Sequence, residues 1–546
     1  MTTPMHRNPS VDPHRFAMIP RADIPRSKFR MQHTHKTTFN ASQLIPIFTQ
    51  EVLPGDSFSV KMTAFSRMST PLFPIMDNMY LETFFFFVPC RLVWSNWVKF
   101  MGQQDAPGDS ISYVVPQTVS AAGGFTRYDL MDYFGLPCAP NLGAGTISVN
   151  ALIPRAYNLI WNQWFRDENL VAPAPLSLGD GPDSPGNFQL RFRGKRHDYF
   201  TSALPFAQKG AAVTLPLAGT AAVTGLGAAS TYNFNLVNQV VDESVALGVT
   251  YPFAAQVSST APAQAITIKG SAAGTAGIPQ VFADLSTATA TTINALRQSF
   301  QVQKLLERDA RGGTRYTEIV RSHFGVISPD ARLQRAEYLG GGSSSVNITP
   351  IAQMAQAGPT GEPLGTLAGV GTNVVRGHGF HRAFTEHGYI LGLANVRGDI
   401  AYQQGIRKLW SRSTRYDFYF PVFAMLGEQA ILNKEIYAQG VPATDNAAFG
   451  YQERWAEYRY HPSMITAFFN STSPTPLDAW HLAQRFTSLP TLGEVFINDN
   501  TYFSIDRAVA AGTESQSQQF LCDMFFDVTA ARPMPMYSVP GMIDHF

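Results

Sequence analysis

Charged residues are scarce in this sequence. Asp, Glu, Lys and Arg make up only 15% of the 546 residues, whereas about 25% is typical of soluble proteins. Aromatic residues are plentiful, with 39 Phe, 20 Tyr and 7 Trp, and such residues are enriched where protein surfaces meet. The composition favours a protein that buries extensive surface against other subunits. One large, neutral, β-rich enzyme is the alternative.

Cysteine and long apolar runs are scarce as well. The three cysteines, Cys90, Cys138 and Cys522, form no C-x-x-C pair, which gives neither a disulfide framework nor a zinc site and fits a reducing compartment. The run "TFFFFVP" at residues 83–89 is far shorter than the roughly 18 apolar residues of a spanning helix. The first sixteen residues hold no apolar stretch typical of a secretory signal. We expect no membrane insertion.

The common catalytic motifs are also missing. The sequence contains no G-x-S-x-G, H-E-x-x-H, P-loop or G-x-G-x-x-G pattern. The best metal candidate groups His378, His381 and His387 with Glu386, but neighbouring histidines without a second ligand group elsewhere are usually structural. We predict no enzyme, no cofactor and no metal.

Basic residues are concentrated near the N-terminus. Residues 1–50 carry seven Lys and Arg against two Asp, although the whole chain has a net charge of only +1. Prolines recur every few residues and exclude a helix, and apolar residues are interleaved with the charges. This pattern predicts an extended arm that binds a polyanion, with a solvated tail as the alternative. The basic residues of the arm are Arg7, Arg15, Arg21, Arg26, Lys28, Arg30 and Lys36.

The rest of the chain indicates strands interrupted by long insertions. We divide it into first strands with helical insertions (51–209), a charge-poor surface insertion (210–292), and remaining strands, helical insertions and tail (293–546). Strands without a βαβ rhythm favour an antiparallel sandwich with elaborate loops. The C-terminal part contains five predicted strands, "HGYILGLANVRGDI", "TRYDFYFPVF", "SMITAFFN", "GEVFINDNTYFSID" and "LCDMFFDVTAARPM".

Two stretches combine basic and aromatic residues, namely "RFRGKRHDYF" at 191–200 and "RKLWSRSTRYDFYF" at 407–420. Guanidinium groups can neutralise phosphates while aromatic faces stack bases, so both stretches suit single-stranded nucleic acid. A subunit interface explains them equally well, because Arg, Trp and Tyr are enriched there too. In the second stretch we predict DNA contacts for Arg407, Lys408, Trp410 and Arg412.

Several long blocks resemble the major capsid protein of gokushoviruses, small single-stranded DNA phages of the microvirus family. The resemblance covers nearly the whole chain except roughly 210–292. The blocks that carry it are "YLETFFFFVPCRLVW", "RGKRHDYFTSALP", "ERDARGGTRYTEIVRSHFGVISPDARLQR", "WSRSTRYDFYFPVFA" and "RPMPMYSVPGMIDHF".

The resemblance implies a mainly β fold, an eight-stranded antiparallel jelly roll with long loop insertions that contain short helices. It implies assembly in the host cytoplasm, through pentamers, into a virion of sixty copies around circular single-stranded DNA. The 210–292 insertion would form a threefold protrusion for host attachment. The implied partners are the genome, a small basic DNA-binding protein, an internal scaffolding protein, a minor pilot protein and a host receptor.

The phenylalanine run needs cover on both faces of its strand. In a jelly roll one face lines the core, and the other is covered by insertions or by a neighbouring subunit. We predict subunit contacts for Phe84, Phe85, Phe86, Phe87 and Phe546.

Two other functions are kept as alternatives. A β-rich carbohydrate-active enzyme needs a pair of acids in a cleft, and no such pair stands out. A free single-stranded-nucleic-acid-binding protein needs more than a net charge of +1.

Overall fold

A computed structural model describes residues 25–213, 222–224, 226–228, 266–268, 282–284, 293–327, 334–354, 364–499, 501–510 and 518–537. The chain divides into two compact units. One consists of Met1–Ala207 with Asp309–Phe546, and the other of Gln208–Arg308. The second unit contains the predicted insertion and continues into the helix that follows it.

The long strands all belong to the first unit, which also contains short ones, and the described strands of the second unit have three residues each. In chain order they are β1 (Ser27–Phe39), β2 (Ile45–Val52), β3 (Ser57–Met68), β4 (Met79–Pro89), β5 (Gln117–Val119), β6 (Ser148–Asn150), β7 (Ala222–Thr224), β8 (Leu226–Ala228), β9 (Ile266–Ile268), β10 (Phe282–Asp284), β11 (Glu337–Ala352), β12 (Leu367–Ala383), β13 (Gly388–Gly398), β14 (Glu428–Leu432), β15 (Ala448–Glu453) and β16 (Phe520–Arg532).

The α-helices are mostly single turns. They are α1 (Trp97–Phe100), α2 (Leu130–Tyr133), α3 (Leu152–Ile160), α4 (Ile293–Arg311), α5 (Tyr316–Phe324), α6 (Asn433–Ile436), α7 (Pro442–Asp445), α8 (Glu494–Ile497) and α9 (Thr501–Asp506). A π-helical turn, Trp161–Phe165, continues α3. No helix in the described part of the chain is long and apolar enough to cross a membrane.

The first unit is built on one eight-stranded antiparallel sheet. Its strand order is β1-β16-β3-β12-β11-β4-β13-β2. We call β1, β16, β3 and β12 the open half, and β11, β4, β13 and β2 the covered half. Strand β11 joins them, because Asn347–Ala352 pairs with β12 and the rest of the strand pairs with β4. The order is that of a jelly roll, and the predicted fold class is confirmed.

The core lies between the two halves. Alternate residues of β3 and β16 are buried, as the period-2 pattern of "FSVKMTAFSRM" predicts. Rings meet across the core, where Phe48 of β2 lies 5.2 Å from Phe526 of β16 and Phe85 lies 5.5 Å from Phe380 of β12 (centroid distances). Strand β13 is buried at all of its 11 positions because both of its faces are covered.

The phenylalanine run of β4 is covered on both faces by its own chain. Phe85 and Phe87 enter the core between the halves, whereas Phe86 packs outward against the π-helical turn, 5.4 Å from Trp164. Phe85, Phe86 and Phe87 are only 0%, 1% and 5% exposed. A subunit contact at this strand therefore stays a prediction only for the partly exposed Phe84, and Phe546 lies outside the described residues.

Three of the predicted C-terminal strands are wrong. "TRYDFYFPVF" and "SMITAFFN" form isolated 3₁₀ turns, and "GEVFINDNTYFSID" contains α8 and α9. In the first stretch the Asp417 carboxylate accepts the N–H groups of Ser413 and Thr414, so local turn bonds replace a ladder. Aromatic and β-branched composition favours strands only where a partner strand is available.

Candidate nucleic-acid interface

Among the described residues, the outward face of the open half is exposed and carries more cations than carboxylates. Strand β3 presents Lys61, Thr63, Phe65 and Arg67 on this face, in the phase opposite to its buried residues. Two aromatic rings lie among the charges, with Phe65 51% and Phe525 40% exposed. The exposed cations of this face are Lys28, Arg30, Lys36, Lys61, Arg67 and Arg376.

The register of the four strands brings these side chains into rows. Phe525 of β16 pairs with Thr63, which pairs in turn with Arg376. Phe65 lies between Asp523 and Val374 in the next row. Because neighbouring strands are about 4.8 Å apart, the two rings and the cations lie at spacings that a nucleotide chain can span, although the Asp523 carboxylate lies between Lys36 and Phe65.

Arg376 faces outward in phase with the exposed Val374, and a bulge follows it. The pairing of β12 with β3 shifts between Arg376 and His378, and Gly377 in between has φ = 74°. A residue with a side chain is strained in this left-handed conformation, so glycine is required there. The bulge lets Arg376 point outward while Phe380 points into the core.

Four of the predicted arm residues lie in or beside β1. Arg30 binds Asp527 with two hydrogen bonds of 3.1 and 3.2 Å, and Lys36 binds Asp523 at 2.8 Å. The Arg26 guanidinium donates to the Gly55 carbonyl. Within the described residues, Lys28 has no carboxylate within 4.0 Å. Arg7, Arg15 and Arg21 lie outside the described part of the chain.

The two ion pairs of β1 are exposed. The hydrogen bonds from Arg30 and Gln32 hold the pKa of Asp527 below its usual value. The Arg30 side chain is nevertheless 65% exposed, and those of Lys36 and Asp523 are 70% and 53% exposed. Pairs of this kind contribute little to stability, so the two cations can exchange carboxylates for phosphates at small cost.

Sequence reasoning missed Lys61, Arg67 and Arg376. None of the three has a carboxylate within 4.0 Å among the described residues. The sequence could have identified Lys61 and Arg67, because they occupy the alternate, polar positions of β3, whose apolar positions the period-2 pattern already identifies as buried. A surface depression of about 810 Å³ lies beside Arg67. Its lining includes Lys36, Phe65, Arg67, Leu521, Tyr128 and Tyr133.

The second predicted group lies in another element, the long insertion between β13 and β16. Arg407, Lys408, Trp410 and Arg412 line one cleft of about 620 Å³. Lys408 is paired with the Glu435 carboxylate at 3.4 Å, and burial raises the pKa of that carboxyl. Two of the four residues stay available at the surface, namely Arg407 and Trp410, which is 76% exposed.

Arg412 is held inside the protein. It pairs with Glu457 at 3.4 Å, and its guanidinium lies 4.3 Å from the ring centre of Tyr458. Arg412 therefore contributes to the packing of the insertion, and its charge is already balanced.

The stretch at 191–200 is an internal network. Arg193 and Arg196 both pair with Glu82, and Arg397 joins them at 3.3 Å. Lys195 is buried 4.2 Å from the ring centre of Phe496, and burial lowers its pKa to about 8. Tyr199 and Phe200 belong to a separate hydrophobic core with β14 and β15.

The histidine group is dispersed. His378 contacts the hydroxyls of Thr83 at 2.9 Å and Ser344 at 3.3 Å. Glu386 pairs with Arg91 at 2.8 Å, and the His387 ring packs against Trp97. Among the described residues, no three His, Cys, Asp or Glu side chains are arranged to hold a metal ion.

A jelly roll with an exposed basic face is consistent with a coat protein, and similarity to known proteins identifies the family. The sequence matches the profile of the family described as capsid protein (F protein) over residues 17–542. The chain belongs to this capsid protein family. The coat protein is a structural component of a virion and self-assembles into a shell, and it is not an enzyme.

Three relatives are similar to the coat protein over nearly their whole lengths. It is 46% identical over 540 residues to capsid protein VP1 of Bdellovibrio phage phiMH2K, covering 98% of both chains. It is 39% identical over 601 residues to capsid protein VP1 of Chlamydia phage 1, again covering 98% of each. The identity with capsid protein VP1 of Spiroplasma virus 4 is 36% over 553 residues, covering 97% of each. The predicted relation to gokushovirus-like microviruses is confirmed.

Proposed function

We propose that sixty copies of the coat protein form a T=1 icosahedral shell around circular single-stranded DNA, with the open half of the jelly roll turned towards the genome. The observation that carries this proposal is the bare face itself. Lys28, Lys61, Arg67 and Arg376 are exposed there with no carboxylate within 4.0 Å among the described residues, although the charge of Lys61 interacts with that of Asp527. The outward face of the covered half, in contrast, packs against the chain's own insertion.

The chemistry of the face suits a single strand bound without sequence preference. Lysine and arginine neutralise phosphates, and exposed rings such as Phe65 and Phe525 offer surfaces on which unpaired bases stack. We further propose that Arg7, Arg15 and Arg21 extend this basic surface along neighbouring subunits, and that Arg407, which lies outside the apolar segment that follows it, contacts DNA.

The charge of the arms is too small for the genome. Each arm has seven basic and two acidic residues, so sixty arms supply on the order of three hundred net positive charges against thousands of phosphates, each of which carries one negative charge. We therefore propose that a small basic protein, polyamines or divalent ions are packaged too. Mass spectrometry and elemental analysis of purified virions test this, and coat protein with DNA alone would contradict it.

Host attachment is proposed for residues 210–292. The segment contains only four charged residues, Asp242, Glu243, Lys269 and Asp284, and it belongs to a compact unit of its own. The scaffolding protein, the pilot protein and the host receptor are proposed on the resemblance alone. Replacing the segment with a Gly/Ser linker should leave shells intact and abolish attachment, whereas failure to form shells would assign it to assembly.

The DNA-facing role is tested by removing charge from the open half. The triple variant Lys61→Gln, Arg67→Gln, Arg376→Gln removes three charges and keeps polar side chains at exposed positions. Binding of the purified chain to a fluorescent oligonucleotide is measured over a range of salt concentrations. Three lost phosphate contacts should reduce the slope of log K against log salt by about 2. Arg485→Gln, which removes an exposed cation from the long insertion, is the control. An unchanged slope in the triple variant would refute the proposed orientation.

A further inference from the structure

One segment of the long insertion exposes apolar side chains almost continuously. We call residues 409–426 the aromatic strip. Val422 and Met425 are 81% and 97% exposed, and Met425 has the highest value among the exposed large hydrophobic residues that the structure describes. The other large exposed members are Leu409, Trp410, Tyr416, Phe418, Tyr419 and Leu426, at 41%, 76%, 68%, 50%, 45% and 46%.

The exposed area is large enough for a specific interface. Since large aromatic side chains bury about 150–250 Å² each, these fractions together correspond to on the order of 1,000 Å² of exposed surface. Monomeric proteins rarely expose more than a few hundred Å² of contiguous apolar area, and a stable interface needs about 800 Å² from each partner. The strip therefore has the area of one side of a protein–protein interface.

The strip is held in shape by contacts beneath it. The Tyr419 ring packs edge-on against Trp455, at 5.5 Å, and also contacts Tyr458. The Trp455 indole N–H donates to the Phe423 carbonyl at 3.1 Å. Because these bonds fix the backbone, the exposed side chains are presented on a preformed surface, and binding costs little ordering entropy.

Protein fits this surface better than DNA does. From Tyr416 to Leu426 the strip contains no Lys or Arg and has one carboxylate, Asp417. The most exposed side chains, Val422 and Met425, are not aromatic and cannot stack bases in the way that rings do. Of the nearby cations, Arg412 is paired with Glu457 and Arg415 lies over the Phe420 ring.

We propose that the aromatic strip docks against a second copy of this chain in the shell. The inference rests on the shell assembly proposed above, since a protein that assembles with itself meets its own copies first. For "RKLWSRSTRYDFYF" the sequence left DNA and a subunit interface as equal alternatives. The inference assigns its residues 409–420, Trp410 included, to the subunit interface.

The test introduces charge where the strip is most exposed. Val422→Asp and Met425→Asp are produced in cells together with the other phage proteins, and assembled particles are separated from free subunits by sedimentation and counted by electron microscopy. Fully burying a side chain of this size contributes about 1.5–3 kcal/mol, so each variant should weaken the contact about 10- to 100-fold. The free variant subunits should melt at the wild-type temperature, because neither side chain is buried.

Two kinds of control accompany the test. Val422→Ile and Met425→Leu keep the surface apolar and should assemble normally. Val495→Asp introduces the same charge at an 85%-exposed position on α8, outside the strip, and is expected to assemble as well.

Each remaining outcome decides against the proposal in a different way. Normal numbers of DNA-filled particles from the Asp variants would show that the strip is not an interface. Normal numbers of particles with less DNA would assign the strip to the genome instead. If the wild-type chain itself formed no closed shells under these conditions, the proposed shell would fail, and this inference with it.

Discussion

Replacing Asp183 with asparagine should severely destabilise the insertion that covers β4. Arg155 of α3 binds both Asp183 carboxylate oxygens, through Nε at 2.6 Å and Nη2 at 2.8 Å. Its Nη1 donates to the carbonyls of Val93 and Gly179, at 3.0 and 2.9 Å. One guanidinium thus connects α3, the segment after β4 and the loop before Asp183.

The expected cost follows from burial. The Arg155 and Asp183 side chains are 0% and 4% exposed. Asp183→Asn leaves a fully buried guanidinium charge without its counter-ion, which costs about 3–5 kcal/mol. Asp399→Asn is the matched control. Asp399 pairs with Arg196 at 2.9 Å, but these side chains are 43% and 40% exposed, and such a pair contributes about 0–1 kcal/mol.

The assay is urea denaturation of the unassembled subunit, followed by tryptophan fluorescence, for each single variant and for the double variant Arg155→Met, Asp183→Asn. The double variant should lose less than the sum of the two single losses by at least about 2 kcal/mol, because removing both partners leaves no buried charge. Additive losses, or a loss under about 1 kcal/mol for Asp183→Asn, would show that this pair does not anchor the insertion.

Three further outcomes are expected. Phe86→Ala should reduce the free energy of unfolding by about 3–5 kcal/mol in urea titration. Phe65→Ala, at a 51%-exposed position, should reduce it far less. Equal losses would contradict the placement of Phe86 under the insertion and of Phe65 on the exposed face. Asp527→Asn should free Arg30 for a phosphate and increase the salt slope of oligonucleotide binding by about 0.7, and an unchanged slope would contradict this. The pKa of Lys195 is lowered to about 8 in the folded chain. Between about pH 8 and 10.4 the unfolded chain therefore binds one proton more than the folded chain, and the free energy of unfolding rises with pH by up to about 1.4 kcal/mol per pH unit. Lys195→Met should lack this rise, and parallel pH profiles of the variant and the wild type would contradict the burial of a neutral Lys195.

The strands of the jelly roll were predictable from the sequence where one face of the strand is exposed to solvent. The alternation of Phe58, Val60 and Met62 with polar residues identifies both the strand and its buried side. The run at Phe84–Phe87 indicates a strand covered on both faces, but the identity of the cover depends on an insertion whose packing no local pattern encodes. The 414–423 stretch was wrongly predicted as a strand because its aromatic composition resembles that of a strand when the hydrogen bonds of Asp417 are unknown.

The candidate site was only partly predictable, for a physical reason. Excess positive charge in the arm is visible in the sequence, but its compensation is not, since Arg30 and Asp527 meet across the full length of the chain. Arg376 lies on the open face in phase with Val374, and the bulge at Gly377 then places Phe380 in the core. Pairing and bulges are properties of strand register, which depends on contacts distant in sequence.

The two bare surfaces of the described chain call for chemically different partners. The open half presents cations with few rings between them, whereas the aromatic strip from Tyr416 to Leu426 presents apolar groups and no cation. Salt screens the first kind of contact and leaves apolar burial intact or stronger. A shell that encloses a polyanion can therefore bind its genome reversibly while its subunits stay joined. The proposed division also accounts for the scarcity of charge in the sequence, because it needs cations only on the face proposed to meet DNA and needs apolar groups on the surface proposed to meet other copies.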